Sequence, residues 1–111
     1  MPKNSPSSVL QGTLDLLVLK TLALEPMHGW GIAQRIKQFS NNALDVGQGS
    51  VYPALLRNEH QGWITSAWGI TENNRRAKYY RLTVLGVRQL QQETVSWRKY
   101  AAAVELILAT S

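Results

Sequence analysis

Across residues 11–24 the apolar positions Leu14, Leu17, Val18, Leu22 and Leu24 recur mostly at helical spacing, with Asp15 and Lys20 left for solvent. This pattern predicts a first, well-buried helix that stops at Pro26, because a proline pushes the residue before it out of helical geometry. Beyond Gly29 and Gly31, which flank Trp30, the residues Ile32, Ile36 and Phe39 fall on one face of a second helix with Ala33 beside them. Arg35, Lys37 and Gln38 point elsewhere, and Asn41 and Asn42 end the segment. Gly47 and Gly49 bracket Gln48 in an expected tight loop. Ser50 then offers an N-cap hydroxyl, and Pro53 is tolerable in the first turn of a third helix over 51–61. Gly62 closes that helix in the left-handed conformation glycine adopts freely.

Two stretches rich in aromatic and β-branched residues follow, 63–68 and 78–82, separated by a polar loop holding Gly69, Asn73 and Asn74. They predict a β-hairpin in which Tyr80 and Leu82 share the core face while Tyr79 and Arg81 face out. Thr83 can cap a last helix, and no proline interrupts the chain from there on, giving roughly 28 residues or about 42 Å of helix. That is too long for the preceding elements to cover. Its residues Leu90, Thr94, Trp97, Ala101, Val104 and Leu108 alternate at four and three positions, with Tyr100 and Ile107 alongside, which is the spacing of a helix–helix seam. A homodimer is the economical explanation, with the seam meeting either its own copy or the first helix of the partner.

The expected architecture is therefore mainly α with a small β-hairpin. Residues 1–8, with two prolines and three serines, read as a flexible arm. Residues 9–82 carry three short helices and a hairpin in the order of a winged helix-turn-helix, and residues 83–111 form a long C-terminal dimerisation helix. A chain of 111 residues has room for one modest domain, and one this small gains from a partner subunit.

Charge adds direction to this picture. Twelve Lys and Arg against seven Asp and Glu leave a formal charge of +5, which favours polyanionic partners once the charges have a place on a fold. The place is the hairpin: Asn74, Arg75, Arg76, Lys78 and Arg81 bring four cations to the loop and its return strand with no acid among them. In a winged helix the third helix enters the major groove of duplex DNA and the hairpin touches the adjacent backbone. Gln48, Ser50 and Tyr52 at the head of the third helix can hydrogen-bond to phosphates or base edges. Arg57 is either a phosphate contact or a solvating charge on that helix. The plain alternative for the basic run is a solvated hairpin.

The motifs Leu10-Gln11-Gly12-Thr13-Leu14-Asp15, Met27-His28-Gly29-Trp30-Gly31-Ile32, Gly49-Ser50-Val51-Tyr52-Pro53-Ala54-Leu55 and Arg75-Arg76-Ala77-Lys78-Tyr79-Tyr80-Arg81-Leu82-Thr83 stand in an order and spacing that resembles the PadR family of regulators. The likeness spans about positions 10–108 and is closest to the short branch, with a single C-terminal helix. It implies a dimeric bacterial repressor of a palindromic operator, using the C-terminal helix as its dimerisation arm. It also implies a ligand role for Trp97, since tryptophans on the corresponding helix of the multidrug-binding branch stack on flat aromatic effectors between subunits. An interface tryptophan is the plain alternative. Two departures stand out. Asn58 takes the place of a leucine on the stripe formed with Val51, Ala54 and Leu55, and Trp30 stands where many relatives have tyrosine.

Other classes fit less well. The chain has no cysteine, which removes disulfides, thiolate metal sites and cysteine nucleophiles. His28 and His60 lie in different elements, no metal-ligand spacing recurs, and no nucleophile motif is present, so neither an enzyme, a cofactor nor a metal is expected. His28 reads as a helix-start residue near the DNA backbone or a purely structural one, and His60 as solvent-facing. The apolar run at 14–24 falls short of the ~20 residues a membrane helix needs, and no cleavage pattern follows it, so no membrane partner is expected and the cytoplasm is the default compartment. A winged-helix module for protein partners, without specific DNA binding, is the competing class.

Overall fold

A computed structural model describes residues 11–111; the arm expected at 1–8 and Leu10 of the first motif lie outside the described residues. Four helices and three strands run in the order α1 (Gln11–Leu24), β1 (Met27–His28), α2 (Gly29–Phe39), α3 (Gln48–His60), β2 (Ile64–Ile70), β3 (Arg76–Leu82) and α4 (Val84–Leu108). The expected fold class holds.

α1 is apolar on several sides because other elements surround it. Leu14, Val18, Leu19 and Leu22 are buried, and the helix packs against α2, α3, α4 and β3. The one buried hydroxyl on it, Thr21, is satisfied by donating to the Leu17 carbonyl at 2.9 Å. Val18, Leu19, Ile32, Val51, Leu55 and Ile64 form the centre of the core. Phe39, expected on the core face of α2, is instead 62% exposed. It is the last residue of that helix, and the chain turns away there through Asn41 and Asn42, both at positive φ (58° and 69°).

β1 is a two-residue strand that periodicity cannot reveal. It pairs antiparallel with β3 through Met27↔Tyr80 and His28↔Tyr79, so the sheet order is β1-β3-β2. The hairpin is longer than its sequence suggests, with Ile64↔Leu82 at its base and Ile70↔Arg76 at its tip. Gly69 and Arg76 read as loop and are strand. Tyr79, expected to face out freely, is half-buried: its ring covers Gly69, where a Cβ would meet it at 2.8 Å. Tyr80 lies in the core as expected, 6% exposed.

α3 starts earlier than predicted. Gly47 is the N-cap, its carbonyl accepting from Ser50 and Val51 amides at 3.0 and 3.1 Å, so Ser50 sits inside the first turn and caps nothing. Gln48 is helical and not part of a loop. Pro53 consequently falls in the second turn, and the acceptor it leaves without a partner is the carbonyl of solvent-exposed Gly49. Gly62, at φ +77°, ends the segment as expected.

α4 is rooted by two contacts. The Thr83 hydroxyl accepts from the Gly86 amide at 3.1 Å, as an N-cap should, and donates to the Gly62 carbonyl at 2.6 Å. Gly86 lies so close to the backbone that a Cβ there would stand 2.0 Å from the Trp63 carbonyl oxygen. Leu90, expected on the dimer seam, packs against the chain's own core because α4 packs on α1. Beyond it the apolar side chains Trp97, Tyr100, Ile107 and Leu108 are exposed, and Ala101 and Val104 are half-buried.

Candidate nucleic-acid interface

The sheet holds the hairpin away from the helices, leaving an open cleft of about 1070 Å³ between the N-terminal end of α2, the outer side of α3 and the wing. His28 shapes one wall. It is the last residue of β1 and also the N-cap of α2, with Nδ1 accepting from the Gly31 amide at 3.0 Å. Its ring stacks near Trp30 (centroids 6.3 Å apart) and meets Tyr79 edge-on at 5.3 Å. Trp30 is exposed on this wall.

Tyr52 forms the floor between α2 and α3. A Cβ at Gly29 would lie 2.9 Å from Cε1 and 3.2 Å from the hydroxyl of Tyr52, so the ring rests on bare backbone. Glycine at position 29 is what lets it lie there. The Tyr52 side chain remains half open to solvent.

The wing supplies the charge. Its turn is closed by the Thr71 amide donating to the Arg75 carbonyl at 2.8 Å and the Asn74 amide donating to the Thr71 carbonyl at 2.9 Å, with Asn74 at φ 60°. Asparagine tolerates that left-handed geometry better than most residues. Arg75, Arg76 and Lys78 project into solvent and join no ion pair among the described residues. The Arg76 guanidinium carbon sits 4.6 Å above the Trp68 ring.

Not every expected contact gathers at the cleft. Tyr52, Arg75, Arg76 and Lys78 line it, whereas Gln48 and Ser50 stand outside it on the first turn of α3, and Asn74 holds the turn. Arg57 departs furthest from expectation. Its guanidinium grips Asp15 of α1 in a bidentate pair, Nη2 to Oδ1 at 2.7 Å and Nε to Oδ2 at 3.1 Å, with both side chains largely covered. The pair braces α1 to α3, so the charge of Arg57 is already partnered within the protein. Arg35 is similarly taken up by Glu25.

Asn58 is where the stripe predicts, 0% exposed among hydrocarbons. Nδ2 donates to the Ala54 carbonyl at 3.0 Å, while Oδ1 meets no donor among the described residues. Elsewhere in the core, burial pushes the Tyr80 phenol above the ordinary value of 10.0, with nearby Glu59 and Tyr52 adding to the effect.

A second, smaller cavity of about 220 Å³ lies between α1 and α4, bordered by Leu16, Glu93, Trp97 and Tyr100. The Trp97 and Tyr100 rings are 6.0 Å apart there. Sequence reasoning did not assign a role to Gly29 and Trp68, which line the large cleft, or to Asp15, which holds Arg57. For Gly29 a signal existed in the glycine beside the tryptophan; for Asp15, 42 residues from its partner, none did.

The model of the transcriptional regulator PadR-like family matches residues 18–92, which takes in the whole cleft and both strands of the wing. The chain belongs to the PadR-like family. It is similar to the solved structure of a PadR family transcriptional regulator from Eggerthella lenta, at 31% identity over 91% of this chain and 86% of that one, with a TM-score of 0.74. A PadR-like transcriptional regulator from Bacillus cereus shares 26% identity, covering 95% of this chain and all 100% of the other at a TM-score of 0.77. A transcriptional regulator from Clostridium thermocellum matches at 26% identity and a TM-score of 0.79, over 89% and 96% of the two chains. As a PadR-like protein the chain is a DNA-binding transcriptional regulator with a winged helix, not an enzyme. Among the described residues no helix is long and apolar enough to cross a membrane.

Proposed function

We propose that this PadR-like protein is a cytoplasmic homodimeric repressor that reads a palindromic operator, with α3 in the major groove and the wing on the adjacent backbone. The observation that carries the reading is the convergence of Tyr52 with the unpaired cations Arg75, Arg76 and Lys78 on one cleft. Gln48 and Ser50, on the leading turn of α3, are assigned to base edges or phosphates, and Asn74 to the backbone beside the wing turn. Arg57 leaves this set because Asp15 occupies it. Residues 9–82 act as the reading unit and 83–111 as the arm.

Dimerisation through α4 is supported by the exposed run Trp97, Tyr100, Ile107 and Leu108, with Ala101 and Val104 between them. Two-fold symmetry then presents the two α3 helices to successive major grooves about 34 Å apart. The cavity beside Trp97 supports a planar aromatic effector that stacks on the indole and releases the operator. Flat aromatic compounds are expected to quench Trp97 fluorescence, and silence across a varied panel removes the effector from the reading.

The deciding experiment titrates the protein into duplex DNA from around its own gene, with an unrelated competitor, across a range of salt. Binding should resist competitor and weaken steeply with salt as counterions are released. Alanine at Arg75, Arg76 or Lys78 should each reduce the salt slope by about 1. A wild-type protein that fails to bind at low salt overturns the reading in favour of a module for protein partners.

A further inference from the structure

The register of the hairpin places Ile64, Ser66, Trp68 and Ile70 on the same face as their partners Leu82, Tyr80, Lys78 and Arg76. At the base this face closes the core, where Ile64 and Tyr80 are buried. Ser66 marks the limit, its hydroxyl donating to Glu59 at 2.8 Å. Past that point the same face overhangs the helices, and Trp68 and Ile70 are 62% and 61% exposed. Lys78 lies directly across from Trp68, and Arg76 rests on the indole. A wing that acted through charge alone would have no use for a large apolar pair in solvent.

We propose that Trp68 and Ile70 are DNA contacts, packing on the deoxyribose rings of the strand whose phosphates Arg76 and Lys78 meet. The inference rests on the regulator reading and assigns it two further residues. The occupant follows from the pattern on this face, where an apolar row on β2 stands directly across from a cationic row on β3, so that one DNA strand lying along the wing can set its sugars on the first and its phosphates on the second. A second copy of the chain would bring Arg75, Arg76 and Lys78 against their own like, with Glu72 the one acid of the turn to offset them. The contact contributes affinity without releasing counterions, so its signature differs from that of every cation on the wing.

The test measures duplex binding over a series of salt concentrations for wild type, Trp68→Ala, Arg76→Ala and the double variant, with melting curves and sedimentation for each. Trp68→Ala should weaken binding about five- to tenfold at every salt concentration, the order of one aromatic contact, while leaving the salt slope and the melting temperature unchanged. Trp68→Phe should recover part of the loss. In the Arg76→Ala background the tryptophan should still matter several-fold. Unchanged affinity on Trp68→Ala overturns the proposal. So does an effect that disappears once Arg76 is alanine, which makes the indole a mere support for the guanidinium. Loss of self-association with DNA affinity intact overturns it too and gives the patch to a second copy. A wild-type protein that binds no duplex overturns the regulator reading along with it, which separates the two failures.

Discussion

Asn58→Leu should make the protein more stable, and the size of the gain can be worked from its surroundings. The amide is fully buried, makes one hydrogen bond to the Ala54 carbonyl, and leaves Oδ1 without a donor among the described residues. Replacing it forfeits about 1 kcal/mol for the bond made and recovers about 1–3 kcal/mol for the acceptor left bare. Burying a hydrocarbon in its stead adds about 1–2 kcal/mol, and fitting the larger side chain into a packed stripe costs about 1–2 kcal/mol. The net is about 1 kcal/mol, which for a chain of this size raises Tm by about 5 °C. Circular dichroism melts at one fixed protein concentration are the assay, because the proposed subunit association would make Tm concentration-dependent. Asn58→Asp serves as the opposite control: a buried carboxylate should lower Tm below wild type. A leucine variant that melts at or below wild type refutes the reasoning.

Gly86→Ala should destabilise by about 3 kcal/mol or more, since its Cβ falls 2.0 Å from the Trp63 carbonyl oxygen and a backbone must move to admit it; thermal melts read the loss. Arg57→Ala should lower stability by about 1–2 kcal/mol by stranding a largely covered Asp15, yet leave the salt slope of DNA binding unchanged, and a slope reduced by about 1 would make Arg57 a phosphate contact after all. For Tyr80 the folded phenol titrates above the ordinary 10.0 of the unfolded chain. Its contribution is therefore complete below pH 10 and is lost as pH rises from 10 through the folded value, because the unfolded state releases its proton first. Denaturant titrations should show stability falling above pH 10, with a shallower fall in Tyr80→Phe.

Long elements with a burial period were legible from the residues alone. α1 is legible from its leucines and Val18, the hairpin from its β-branched and aromatic runs, and the root of α4 from Thr83, because each of these signals is local. The start of α3 was not, since Gly47-Gln48-Gly49 has the composition of a loop and only the amides bonding to Gly47 reveal a helix. β1 escaped because two residues have no period. Arg76 and Gly69 read as loop because charge and glycine outweighed register. The wing's cations were visible as a run, and Arg57 looked like one more of them. Its partner sits on a different helix, and only the packing of α3 on α1 brings the two together. The exposure of Phe39 and Trp68 was hidden for the same reason: an apolar residue at the right spacing says nothing about whether the neighbouring element reaches that far.

The short strand β1 has a mechanical consequence. β3 is bonded on both sides, and the chain passes from β1 into α2 through a single residue, His28, which belongs to the sheet and caps the helix at once. The wing and α2 are thereby joined as two jaws on one frame, and the gap between them behaves as a gauge of set opening. In the proposed dimer, an operator whose half-sites were differently spaced would have to be met by swinging whole subunits about α4, as a caliper changes its span by sliding its arms and never by bending its jaws.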